Sequence, residues 1–232
     1  MIHHTQQQTS LSSESGFTII ESLVALLVAA LLLAAIAPVL VISVATRVQA
    51  KRIERGTDAA KSYIDGVRVG TIAAPDSPIT NSTSDFAIAS YDPPSLTPTL
   101  ACTANSYCTQ PATNLYCVSV DGSNCTTTNT NNFVIQAIRY NKATVTSSGT
   151  TSNITDATKG YQLGVRVYRS DGFASAGGNL KKAPNKQATF AAGLGDRKTP
   201  LVEITTEITK GTTFSDLCTR LKNTSNTAST CS

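Results

Sequence analysis

The alternation of apolar and polar positions divides the chain into four stretches. Residues 1–16 are polar, from Met1-Ile2-His3-His4 through Gln- and Ser-rich sequence to Gly16. From Phe17 to Thr46 a single charged residue occurs, Glu21, at the head of the stretch. From Leu23 to Ala37 the run is apolar on all sides, as suits a segment surrounded by lipid. A helix needs roughly 20 such residues to cross a bilayer. Pro38 interrupts the run; it removes a backbone donor and crowds the Ala34 carbonyl, which predicts a kink.

Beyond Arg47 the pattern turns amphipathic. Val48, Ile53, Ala59, Ala60, Ile64 and Val67 share one helical face, while Lys51, Glu54, Arg55, Asp58 and Lys61 stay polar. One helix is therefore predicted from Phe17 to about Val69. Its membrane-spanning part covers residues 17–45 and its amphipathic part residues 46–70. Gly70 is placed to cap it, and Pro75 and Pro78 oppose continuation. Gly56 inside it predicts a weak point costing about 1 kcal/mol.

Residues 71–112 are rich in Pro, Ser, Thr and Asn and read as loop. Strands are predicted over 115–120, 133–140, 161–168 and 201–209. The last two alternate clearly: Leu163, Val165 and Val167 against Gln162 and Arg166, then Val202, Ile204 and Ile208 against Glu203, Thr205 and Glu207. Asp121-Gly122 and Asp171-Gly172 supply turns, which favours antiparallel neighbours. Residues 141–159 and 174–200 read as exposed loops, and a short helix is expected over 215–222. The elements add up to an α+β chain: a long N-terminal helix packed on an antiparallel sheet within a β-rich domain, residues 71–232.

Composition narrows the setting. Only 15% of residues are charged and the net charge is +4, too weak to argue for nucleic-acid binding. Arg47, Lys51, Arg52 and Arg55 crowd just past the apolar run, a solvated helix end flanking a membrane. Six cysteines, an even count beside an apolar N-terminal segment, read as disulfides formed after export. Their spacing is not zinc-like, because there is no Cys-x-x-Cys and no histidine nearby. The tail between Cys218 and Cys231 is polar and has little to bury, so a disulfide between these two is predicted to staple it. Cys102, Cys108, Cys117 and Cys125 should then pair among themselves, with the partners open.

The string Gly16-Phe17-Thr18-Ile19-Ile20-Glu21-Ser22, followed by the apolar run, resembles the prepilin signal of type IV pilins and pseudopilins. The resemblance covers about the first 55 residues. It implies a leader, residues 1–16, cut from the chain between Gly16 and Phe17 by a prepilin peptidase, with N-methylation of Phe17. Gly16 suits such a cut because it offers no side chain beside the scissile bond. The resemblance implies that Glu21 pairs with the N-terminal amine of a neighbouring subunit during assembly. Pro38 matches a proline found in many type IV pilins, and a disulfide-bounded C-terminal segment is frequent among them. The implied fold is pilin-like, and the implied partners are other pilin or pseudopilin subunits, an inner-membrane assembly platform and membrane lipid. The implied location is the cytoplasmic (inner) membrane as a single-pass protein with an extracytoplasmic domain, and then a pilus or pseudopilus. The start of the mature chain and its Thr/Ser/Asn-rich domain are also similar to minor pilins, and to the hormogonium polysaccharide secretion pseudopilins of filamentous cyanobacteria. That narrower likeness implies a part in polysaccharide export and motility. Charge placement alone predicts the opposite orientation, since residues 1–16 carry no Lys or Arg and the basic cluster follows the span.

Catalysis is not expected. Both histidines, His3 and His4, lie in the leader, which removes the usual general base and metal ligand from the rest of the chain. No Gly-x-Ser-x-Gly, His-Glu-x-x-His or phosphate-loop motif occurs, and Gly193-Leu194-Gly195-Asp196-Arg197-Lys198 lacks phosphate-loop spacing. No dense run of Asp, Asn and Glu suggests a calcium loop. Sequons such as Asn81 and Asn153 are expected by chance in a Thr-rich chain. No cofactor, metal or nucleic acid is expected. The competing function is a minor pilin serving as adhesin or DNA receptor; a basic aromatic patch would favour DNA, and none is evident.

Overall fold

The structure is a computed structural model that describes residues 16, 18–76, 78–79, 88–141, 144–148, 150–188 and 195–222. Residues 1–15, Phe17, Asn81, Gly193, Leu194 and Cys231 lie outside the described residues. The chain divides into two compact units, Met1–Val44 and Ala45–Ser232.

Helix α1 spans Ile19–Val69, 51 residues, with Pro38 inside it. Gly70, at φ +87°, ends it in the left-handed conformation that glycine adopts at least cost. In the second unit the helix buries Gln49, Gly56, Ala59, Ala60, Tyr63, Ile64 and Val67. Their spacing of three and four residues is the stripe that faces a core.

Among the described residues seven strands follow: β1 (Pro78–Ile79), β2 (Leu115–Val118), β3 (Phe133–Tyr140), β4 (Thr144–Ser147), β5 (Thr150–Asn153), β6 (Tyr161–Arg169) and β7 (Val202–Ile208). Strands β2, β3, β6 and β7 form an antiparallel sheet in the order β2-β3-β6-β7. The short β1 pairs parallel to the end of β3, at Arg139 and Tyr140, on the same edge as β2. A short helix, α2 (Phe214–Lys222), closes the described chain.

One sheet face carries Ile135, Ala137, Leu163, Val165 and Val167, packed with Ala60, Tyr63, Ile64 and Val67 of α1. The α+β architecture with a helix packed on an antiparallel sheet is thus present. Small residues on α1 let it approach closely. A β-carbon on Gly56 would lie 2.9 Å from Leu201 Cδ1 and 3.1 Å from Leu201 Cβ. Gly56 is therefore a packing position rather than the weak point its propensity suggests. Gly56→Ala is expected to lower stability by about 1 kcal/mol, because overpacking costs about 1–3 kcal/mol and outweighs the gain of about 1 kcal/mol in helix propensity. Thermal denaturation followed by circular dichroism checks this; a raised Tm would mean that Leu201 yields freely.

The opposite sheet face is covered too, which the alternation does not predict. Arg166 and Glu203 lie in register on β6 and β7, and Arg166 faces Gln136 of β3 on its other side. The side chains of Arg166 and Glu203 are 0% and 2% exposed. Arg166 Nε donates to Glu203 Oε1 at 2.6 Å and Nη1 to Gln136 Oε1 at 2.8 Å. Nη2 reaches past the sheet to the Ile88 and Tyr91 carbonyls at 2.8 and 3.1 Å. Gln136 Nε2 donates to the Asp92 carbonyl at 2.9 Å. Lys186 Nζ lies 3.4 Å from Glu203 Oε2, a charge contact without hydrogen-bond geometry. This buried polar ladder fastens the 88–92 loop over the sheet.

Two loop expectations are corrected. Residues 141–159 hold the antiparallel ribbon β4–β5. Residues 174–200 are not uniformly exposed: Leu180, Lys198 and Thr199 are buried. Lys198 Nζ donates to the carbonyls of Gly172 and Ala174, which gives two of its N–H groups acceptors.

Candidate assembly site

Gly16, Thr18 and Glu21 lie at the N-terminal end of α1. Thr18 precedes α1 and its Oγ1 accepts from the Glu21 amide at 3.3 Å. Thr18-x-x-Glu21 therefore has the spacing of a capping box, with Glu21 in the first turn where the macrodipole favours an anion. The motif S/T-x-x-E was the available signal for Thr18. Gly16 and Glu21 are both exposed, and so is every residue from Ile19 to Val44. Ile19, Leu26, Leu33 and Val41 are 86%, 72%, 69% and 69% exposed. An uncovered apolar helix of this length can cross a membrane. Such a surface is costly to leave in water.

A second cluster surrounds the disulfides. Cys102 joins Cys108, and Cys117 joins Cys125. An antiparallel bridge between Cys102 and Cys125 sets the two links side by side. The four cysteines do pair among themselves. Cys218 is also disulfide-bonded, and Cys231, its predicted partner, lies outside the described residues. Tyr107 and Tyr116 from this disulfide-linked segment meet Tyr63 of α1. Ring centroids are 5.0 Å apart for Tyr63–Tyr116 and 5.1 Å for Tyr107–Tyr116. The Tyr63 hydroxyl donates to that of Tyr107 at 2.7 Å, and Tyr107 in turn donates to the Ala73 carbonyl at 2.7 Å. These tyrosines tie the segment to the helix, a role that single-residue patterning does not reveal.

Burial, then neighbouring phenols, pushes Tyr63 far above its ordinary range; burial pushes Tyr107 and Tyr161 up to about 12. A phenol whose folded pKa is raised adds stability that is full below pH ~10 and lost as pH rises through the folded value. Burial raises Tyr116 and Tyr168 as well. Five of the seven tyrosines are therefore expected to ionise only above the usual range, with stability falling from pH ~10 upward. Phenolate absorbance during alkaline titration is the measurement. A single transition near pH 10 for all seven would contradict the buried cluster.

No group of three or more metal-ligating side chains occurs among the described residues. The clefts are small. One, of about 280 Å³, is lined by Val67, Ile72, Ala74, Tyr161 and Ile208, with Lys210 beside them. Its lining contains no histidine and no carboxylate. Comparison with family models, curated proteins and solved structures finds no match to this chain.

Proposed function

We propose that this chain is a filament subunit of the type IV pilin or pseudopilin kind, cut between Gly16 and Phe17 and assembled through the first half of α1. The observation that carries the proposal is the joint occurrence of Gly16-Phe17, a lone Glu21 at a helix start, and an exposed apolar helix continuing into the core of a disulfide-bonded α+β domain. A soluble enzyme has no use for such a helix. A secretory signal would place the cut after its apolar core rather than before it.

The disulfides bear on orientation. Thiols stay reduced in the cytosol, whereas bridges persist in exported domains. Cys102–Cys108 and Cys117–Cys125 therefore favour an extracytoplasmic domain, against the charge rule. In this reading the chain waits in the cytoplasmic membrane as a single-pass protein. It then exchanges lipid for neighbouring helices in a pilus or pseudopilus, whose work is polysaccharide export and motility if the narrower resemblance holds.

Processing tests the proposal. Intact mass of the membrane-extracted protein should show a chain beginning at Phe17 and carrying one added methyl group. A chain still beginning at Met1, in cells with an active prepilin peptidase, would overturn it.

A further inference from the structure

Arg47, Lys51 and Arg55 follow one another at intervals of four residues on α1, and all three are exposed. That spacing stacks their side chains on one face, about 6 Å apart along the axis. Among the described residues they take part in no ion pair or side-chain hydrogen bond. Arg52 belongs elsewhere: it is half-buried, within the fields of Arg169 and Asp171.

The charge along the helix is graded. Between residues 47 and 55 four cations stand against one acid, Glu54. Between residues 56 and 69 Lys61 and Arg68 are balanced by Asp58 and Asp65. The excess thus sits in the turns directly after the apolar run, which ends at Thr46. Like charges one turn apart repel each other. An anionic surface at the end of the run relieves that repulsion, and long basic side chains can lean toward it while their stems stay on the helix.

We propose that Arg47, Lys51 and Arg55 form a collar that binds the headgroups of anionic phospholipids where α1 leaves the bilayer. The inference rests on the membrane-anchored reading above. Screening acts over about 8 Å at physiological ionic strength. Arg55 stands about 12 Å beyond Arg47 along the helix axis. The contributions should therefore decrease in the order Arg47, Lys51, Arg55.

The test is lipid selectivity of the full chain reconstituted in vesicles of phosphatidylcholine and phosphatidylglycerol, read with spin-labelled lipids. At low salt the labelled phosphatidylglycerol should associate about two- to fivefold more strongly than phosphatidylcholine. The preference should shrink at high salt and vanish in the triple variant Arg47→Gln, Lys51→Gln, Arg55→Gln. Among single variants Arg47→Gln should lose most, and Lys61→Gln should lose nothing. A motionally restricted component equal for both lipids would overturn the collar while leaving the membrane anchor in place. Selectivity retained by the triple variant would overturn it as well. Absence of any restricted lipid would instead reject the anchor on which it rests.

Discussion

Glu203→Ala is expected to destabilise the second unit by about 3–5 kcal/mol, because it leaves the Arg166 guanidinium buried without its counter-charge. The arginine cannot neutralise itself, and both side chains are closed to water. At about 2–4 °C per kcal/mol for a domain of this size, Tm should fall by roughly 6–20 °C. A partner experiment separates charge from shape. Replacing both residues with apolar ones, Arg166→Met with Glu203→Leu, removes the stranded charge and should recover part of the loss. Recovery should be incomplete, since the Ile88 and Tyr91 carbonyls then lose their donors. Hydrogen exchange adds a local signature: amides in the 88–92 loop should lose protection in both variants. A Glu203→Ala protein with unchanged Tm would show that the ladder is not what holds this face shut.

That ladder also marks where sequence reasoning stops. The long helix was legible because 25 residues without charge and then a stripe of Ile53, Ala60, Ile64 and Val67 leave few other ways to bury apolar surface. Strands β3, β6 and β7 were legible because period-2 alternation and turn residues agree. The ribbon β4–β5 was missed because its strands are almost wholly Thr, Ser and Asn, with Val145 the only apolar residue. Ser148-Gly149 between them was the one available hairpin signal. Arg166 alternates like a solvent-facing residue, and its burial depends on a loop about 75 residues away. Gly56 and Tyr63 are similar cases: propensity describes each residue alone, whereas their roles come from Leu201 and Tyr107. At the N-terminus the string 16–22 singled out Gly16, Phe17 and Glu21, and the structure adds Thr18 as the cap.

On the proposed filament-subunit reading, Glu21→Gln is expected to leave cleavage, membrane insertion and helix formation intact and to exclude the chain from filaments. Two accounts of Glu21 predict different outcomes for this variant. If the residue only completes a capping box with Thr18, glutamine serves as well, because an amide oxygen can also accept from the backbone. If it pairs with the amine of a neighbour's Phe17, glutamine fails, because a neutral amide cannot offset a desolvated ammonium. The energies favour the second account as selective. A carboxylate carried into a membrane costs about 3 kcal/mol, far more than a surface cap needs. Two opposite desolvated charges are tolerable together and expensive apart. Glu21→Ala removes both the cap and the charge, so comparing the two variants isolates the charge. Shear fractionation, with the membrane pool and its intact mass as controls, reads the result. Normal Glu21→Gln protein in the sheared fraction, with Glu21→Ala absent from it, would reduce Glu21 to a helix cap.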